Sequence, residues 1–149
     1  MLNKQQILDL IPHRQPFLWI DSVAELDAGV RCVALKFVDR SESVFEGHFP
    51  GNPILPGVII IEAAAQTAAV MLGSQMQAAD AAGNEEGAGP SRLLGAVNRF
   101  KFLKPVKPGC ELRIETRKVS EMGPMAYVDV TVQVGNEVIA RGELAVTSS

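Results

Sequence analysis

The chain has 149 residues, 47% of them hydrophobic and 21% charged, with a formal net charge of −3. That length suits a single domain, 1–149, with a substantial buried core. The mild acidity gives no general attraction to nucleic acid or anionic membranes, so an acidic partner would need a local basic patch.

In chain order, Asn3 to Ile11 reads as a short amphipathic helix with Asn3 as its N-cap, stopped by Pro12. His13 and Arg14 follow in a loop. Phe17 to Leu26 reads as a strand, Asp27-Ala28-Gly29 as a turn and Val30 to Val38 as a second strand. Asp39 to Glu46 is polar and irregular, with at most one short turn of helix expected. An apolar helix opens at Gly57 and runs to about Gly73, and the stretch from Ala78 to Ser91 reads as a frayed end and a mobile surface loop. Strands are expected at Leu93 to Lys104, Cys110 to Val119 and Ala126 to Val134. Gly135-Asn136 suits a tight hairpin turn, after which Val138, Ala140, Leu144 and Val146 continue an inward face. About six strands and one long helix make the class α+β. Cys32 and Cys110 could form one disulfide, but a core of this size does not call for it, and reduced thiols are expected. The N-terminal residues hold no apolar run of signal-peptide length, so the expected location is cytoplasmic.

The stretch from Phe45 to Gln66 concentrates the chemistry. Its first half is dense in Pro and Gly and forms neither helix nor strand. Its second half is apolar on every side and must be buried as a helix, with no need to invoke a membrane, because Glu62 and Gln66 interrupt it. Those two are four apart and share a helical face. A carboxyl group there is costly unless neutral, paired or employed. His48 sits on the stiff loop just upstream, as a general base requires. Two histidines without clustered acidic or thiol ligands make a poor metal site, so no metal and no cofactor are expected.

GHFPGNPILPGVIIIEAAAQ closely resembles the signature of the 3-hydroxyacyl-[acyl-carrier-protein] dehydratases of dissociated fatty acid synthesis. IPHRQPFLWID resembles that family's opening block, and FKFLKPVKPG its later RF-x-x-PV-x-PG segment. The three blocks stand in the family's order and span most of the chain. The resemblance implies a hotdog fold, a curved antiparallel sheet of about six strands wrapped around one long central helix. It implies reversible dehydration of a (3R)-hydroxyacyl thioester, with His48 as base and Glu62 as acid contributed by two subunits. Glu62, where the branch with added isomerase activity carries aspartate, points to the plain dehydratase.

Around this pair, Gly57 and Val58 at the helix start supply amides for a developing enolate oxygen. Gln66 is expected to orient Glu62, and Phe49 joins these three as a substrate contact. Arg99, Lys101, Lys104 and Lys107 form a basic run, a candidate dock for acyl carrier protein with its phosphopantetheine arm against the plainer reading of a solvated strand face. A homodimer is expected, as a trimer of dimers in the family's fuller assembly. His13 and Arg14 mark the family without an assigned chemical role, and loop packing is expected of them. Ser41-Glu42-Ser43-Val44-Phe45 and Asn98 depart from the family's usual residues and leave chain-length preference open. The rival functions are the same chemistry in polyketide or polyene assembly, a hotdog acyl-CoA thioesterase, and a non-catalytic acyl-binding module.

Overall fold

The computed structural model describes residues 1–83 and 92–148. Asn3 caps helix α1 (Lys4–Leu8) through a capping box, its side chain accepting from Gln6 N–H while Gln6 returns the bond to Asn3 N–H, each at 2.9 Å. The helix is shorter than the expected Asn3 to Ile11, because the residue before a proline avoids helical geometry. Arg14 closes its far end by donating to the carbonyls of Leu8, Ile11 and His13.

Six strands follow: β1 (Ser22–Asp27), β2 (Arg31–Phe37), β3 (Arg92–Phe102), β4 (Glu111–Met122), β5 (Met125–Val134) and β6 (Glu137–Ser148). They form one antiparallel sheet in the order β1-β2-β4-β5-β6-β3. A one-turn helix α2 (Val44–Gly47) and the long helix α3 (Gly57–Gly83) lie between β2 and β3. Helix α3 packs on β2, β4, β6 and β3, and Ala63, Ala64, Ala68, Ala69, Val70 and Leu72 are buried along it. It is long and apolar enough to cross a membrane by length and composition, yet 61% of its most apolar window is buried inside the protein. Small alanines let the strands approach closely, and the inward residues of β5 (Ala126, Val128, Val130, Val132) close the core.

Three expectations about the elements are corrected. Gly73 does not end the helix, which continues ten residues further; instead the Leu10 carbonyl lies where a Cβ on Gly73 would come within 2.8 Å of it. The first strand begins at Ser22 and not at Phe17, because the backbone there pairs with a side chain. Gln66, fully buried, donates from Nε2 to Phe17 O and accepts from Trp19 N–H, both at 2.8 Å. In β6, the register slips between Val132 and Gln133, leaving Ile139 as the extra residue of a bulge. Ile139 is therefore buried and Val138 half-buried, while Ala140, Leu144 and Val146 keep the inward face. The mobile loop expected up to Ser91 lies, from 84 on, outside the described residues.

The Gln66 clip carries a stability prediction. Gln66→Leu leaves one carbonyl and one amide without their buried partner, at about 1–3 kcal/mol each. Urea unfolding at fixed protein concentration should show a loss of about 2–4 kcal/mol, and an unchanged midpoint would remove the clip from the fold's support.

Candidate active site

The loop from His48 to Leu55 is built by its own sequence. Phe49-Pro50-Gly51-Asn52 forms a type II turn, with Asn52 N–H donating to Phe49 O at 2.8 Å and Gly51 at φ 74°. Proline favours the second position of that turn, and the positive φ at the third requires glycine. Across its base, Ile54 N–H donates to His48 O at 3.0 Å, and His48 Nδ1 lies 2.7 Å from Ile54 O. A carbonyl only accepts, so Nδ1 carries the proton and the Nε2 lone pair is free. Buried Phe45 anchors the loop below, and Leu55 N–H ties it to Val106 O at 2.8 Å. The half-exposed Phe49 ring stacks on the imidazole, with centroids 4.0 Å apart. The approach to the loop is held by Glu42, which pairs with the buried Lys36 of β2.

His48 opens on a pocket of about 320 Å³ lined also by Ile54, Gly57, Ile60, Phe102 and Val106. The start of α3 borders this pocket. Gly57 and Val58 are its first two residues, whose amides have no intrahelical acceptor, and the Val58 side chain is exposed. Amide donors at a positive helix end are suited to an oxygen that gains negative charge.

Glu62 lies elsewhere on α3. At about 100° per residue it is turned roughly 200° from Ile60, and it does not line the His48 pocket. Burial pushes its carboxyl above the ordinary value, because desolvation penalises the charged form. The Gln66 amide opposes that rise, but its directed hydrogen bonds go to Phe17 and Trp19, so Gln66 braces the chain beside Glu62 more than the carboxyl itself. Among the described residues its ionisable partner within 4.0 Å is His13, whose Nε2 lies 3.9 Å from Glu62 Oε1. Sequence reasoning left this contact out, and nothing local signals it, since the two residues meet only through the fold.

The basic run divides among three places. Arg99 and Lys101 share a groove of about 430 Å³ with Arg141, Asp129 and Glu143 on the sheet. Lys104 pairs with Glu137 at the rim of the His48 pocket. Lys107 faces a separate groove with Arg40.

A six-stranded antiparallel sheet curled around one long helix is the hotdog architecture. The profile of the FabA-like domain matches residues 11–143. The 3-hydroxyacyl-[acyl-carrier-protein] dehydratase FabZ of Bacillus pumilus is 40% identical over 97% of this chain and 94% of its own. The enzyme of the same name from Symbiobacterium thermophilum is 42% identical over 92% and 90%. The chain belongs to this family of 3-hydroxyacyl-[acyl-carrier-protein] dehydratases. In fold it matches the dehydratase heterocomplex ApeI:P of Xenorhabdus doucetiae, with a TM-score of 0.81 at 17% identity over 96% of this chain and 90% of that one. A sigma28-regulated virulence protein of Campylobacter jejuni matches at a TM-score of 0.70 and 16% identity, covering 97% and 88%.

Proposed function

We propose that this chain is a hydro-lyase that reversibly dehydrates (3R)-hydroxyacyl-acyl-carrier-protein to the trans-2-enoyl thioester in fatty acid elongation. The observation that carries the reading is the His48 loop, whose bond to Ile54 O leaves Nε2 as a free base in a pocket beside the amides of Gly57 and Val58. Two relatives of about this length bear the name of that activity.

His48 Nε2 takes the proton from C2, and the C2–H electron pair becomes the C2=C3 bond. The C3–O bond breaks, and the hydroxyl leaves as water with the proton of the Glu62 carboxyl. Charge gathering on the thioester oxygen meets the amides of Gly57 and Val58. Phe49, stacked on the imidazole, contacts the substrate. His48 ends protonated and Glu62 ends as carboxylate, and proton exchange with water restores both. No cofactor enters this balance.

The acid that serves His48 is Glu62 of the partner subunit, because Glu62 of the same chain points away from the pocket. The proposed contact is the open edge of β3, where Leu93, Leu94 and Val97 are exposed and backbone groups await a strand. A homodimer results, and a trimer of dimers is its fuller assembly. Cys32 and Cys110 as free thiols suit a reducing, cytoplasmic setting.

The test is incubation of the purified protein with 3-hydroxyacyl carrier proteins of several chain lengths. Enoyl product is expected; free thiol without enoyl product would replace this reading with a thioesterase. Docking of the carrier protein is assigned to the basic run, of which Arg99 and Lys101 share one groove with Arg141. Arg99→Glu with Lys101→Glu should raise KM for carrier-bound substrate about tenfold and spare a small thioester, and added salt should mimic the defect. Equal effects on both substrates would move the dock elsewhere.

A further inference from the structure

The His13 imidazole lies beside Glu62 and has a ring nitrogen without a partner among the described residues. Its side chain is 18% exposed and that of Glu62 21%, so both meet in a half-dry recess. His13 Nδ1 is buried without a hydrogen-bond partner among the described residues. A proton there would leave an orphaned N–H, which folded proteins avoid more strongly than an orphaned acceptor. The proton therefore belongs on Nε2, the atom 3.9 Å from Glu62 Oε1. Burial, aided by the Arg14 cation, holds this imidazole below its ordinary pKa, the direction that favours the neutral ring. Arg14 itself is turned to the carbonyls of Leu8, Ile11 and His13. On α3, Gln66 is occupied by Phe17 and Trp19.

We infer that His13 is a positioning residue for Glu62: its Nε2–H hydrogen-bonds Oε1 of the carboxyl in its own chain and presents Oε2, with the acidic proton, to the leaving hydroxyl. A gap of 3.9 Å exceeds a hydrogen bond, and a small turn of the Glu62 side chain closes it, as empty sites commonly tighten when substrate enters. Once the acid has given up its proton, the same N–H becomes a charge-assisted donor to the carboxylate. The two histidines then hold opposite tautomers, Nδ1–H in His48 and Nε2–H in His13.

This inference rests on the dehydratase reading for its kinetic consequence but not for its tautomer. With only two histidines in the chain, long-range ¹⁵N–¹H correlation spectra resolve both side chains. Nε2–H in His13 is expected; Nδ1–H would overturn the inference whether or not the protein dehydrates anything. In kinetics, His13→Leu should lower kcat about tenfold with little change in KM. Loss of a donor to the carboxylate raises the Glu62 pKa, so one limb of the pH profile of kcat should move to higher pH while the other stays. His13→Gln, which keeps an N–H, should recover much of the rate and return that limb. A structural role would lower the profile without moving a limb, and equal defects in Leu and Gln variants with unmoved limbs would overturn the inference. If His13→Leu does not fold, the tautomer and the His13→Gln profile still decide. Absence of enoyl product from the wild-type protein would remove the dehydratase reading alone.

Discussion

His48→Ala and Glu62→Gln should each lower turnover about a hundredfold or more, because each removes a proton-transfer group from the reaction. The double variant should lose far less than the product of the two losses, since both groups serve one transition state. The more telling result comes from mixing. Glu62 does not line the His48 pocket of its own chain, and under the proposed split site a dimer built from one variant of each kind has one site with both defects and one with neither. Refolding the two inactive proteins together in equal amounts should restore a substantial part of the activity. Continued inactivity, with mixed dimers demonstrated, would mean that each chain builds its own site.

Val97→Asp should abolish activity by a different route. Val97 is 41% exposed on β3, the last strand in the sheet order, so its outer edge is open. A carboxylate there would lie unpaired in the contact proposed between copies, and such a burial costs several kcal/mol. Light scattering at micromolar concentration should show a monomer, and dehydration should fall about a hundredfold or more while the circular dichroism stays that of a folded protein. A dimer of wild-type activity would place the contact elsewhere.

Local chemistry accounts for what was legible in the sequence. The Asn3 cap and the alternation of β5 each depend on a few adjacent residues, and each stands within a residue or two of its expected position. The contacts that escaped reading join distant parts of the chain. A glutamine that replaces a strand neighbour for Phe17 and Trp19 leaves no periodic trace. Neither does the Leu10 carbonyl that makes Gly73 a point of close approach in mid-helix. Spacing also misleads for the basic run, because β3 bulges between Asn98 and Lys101, with Arg99 at φ 51°, and then leaves the sheet. Residues that look like one stripe are thereby sent to three grooves. The placement of His13 beside Glu62 required the turn after α1 to meet the flank of α3, which no count of residues foretells.

The order of the strands has a consequence for synthesis on the ribosome. Helix α3 is described as far as Gly83, but much of its cover is encoded later, since β4 begins at Glu111 and β6 ends at Ser148. Strand β2 also waits for β4 as its inner neighbour. A growing chain therefore presents an apolar helix, long enough to resemble a membrane anchor, for as long as the C-terminal third is unmade. Folding of such non-local pairings is slow and exposes sticky surface. Nascent chains halted before Glu111 should accordingly engage holding chaperones, and release of that hold should follow the emergence of β4 to β6.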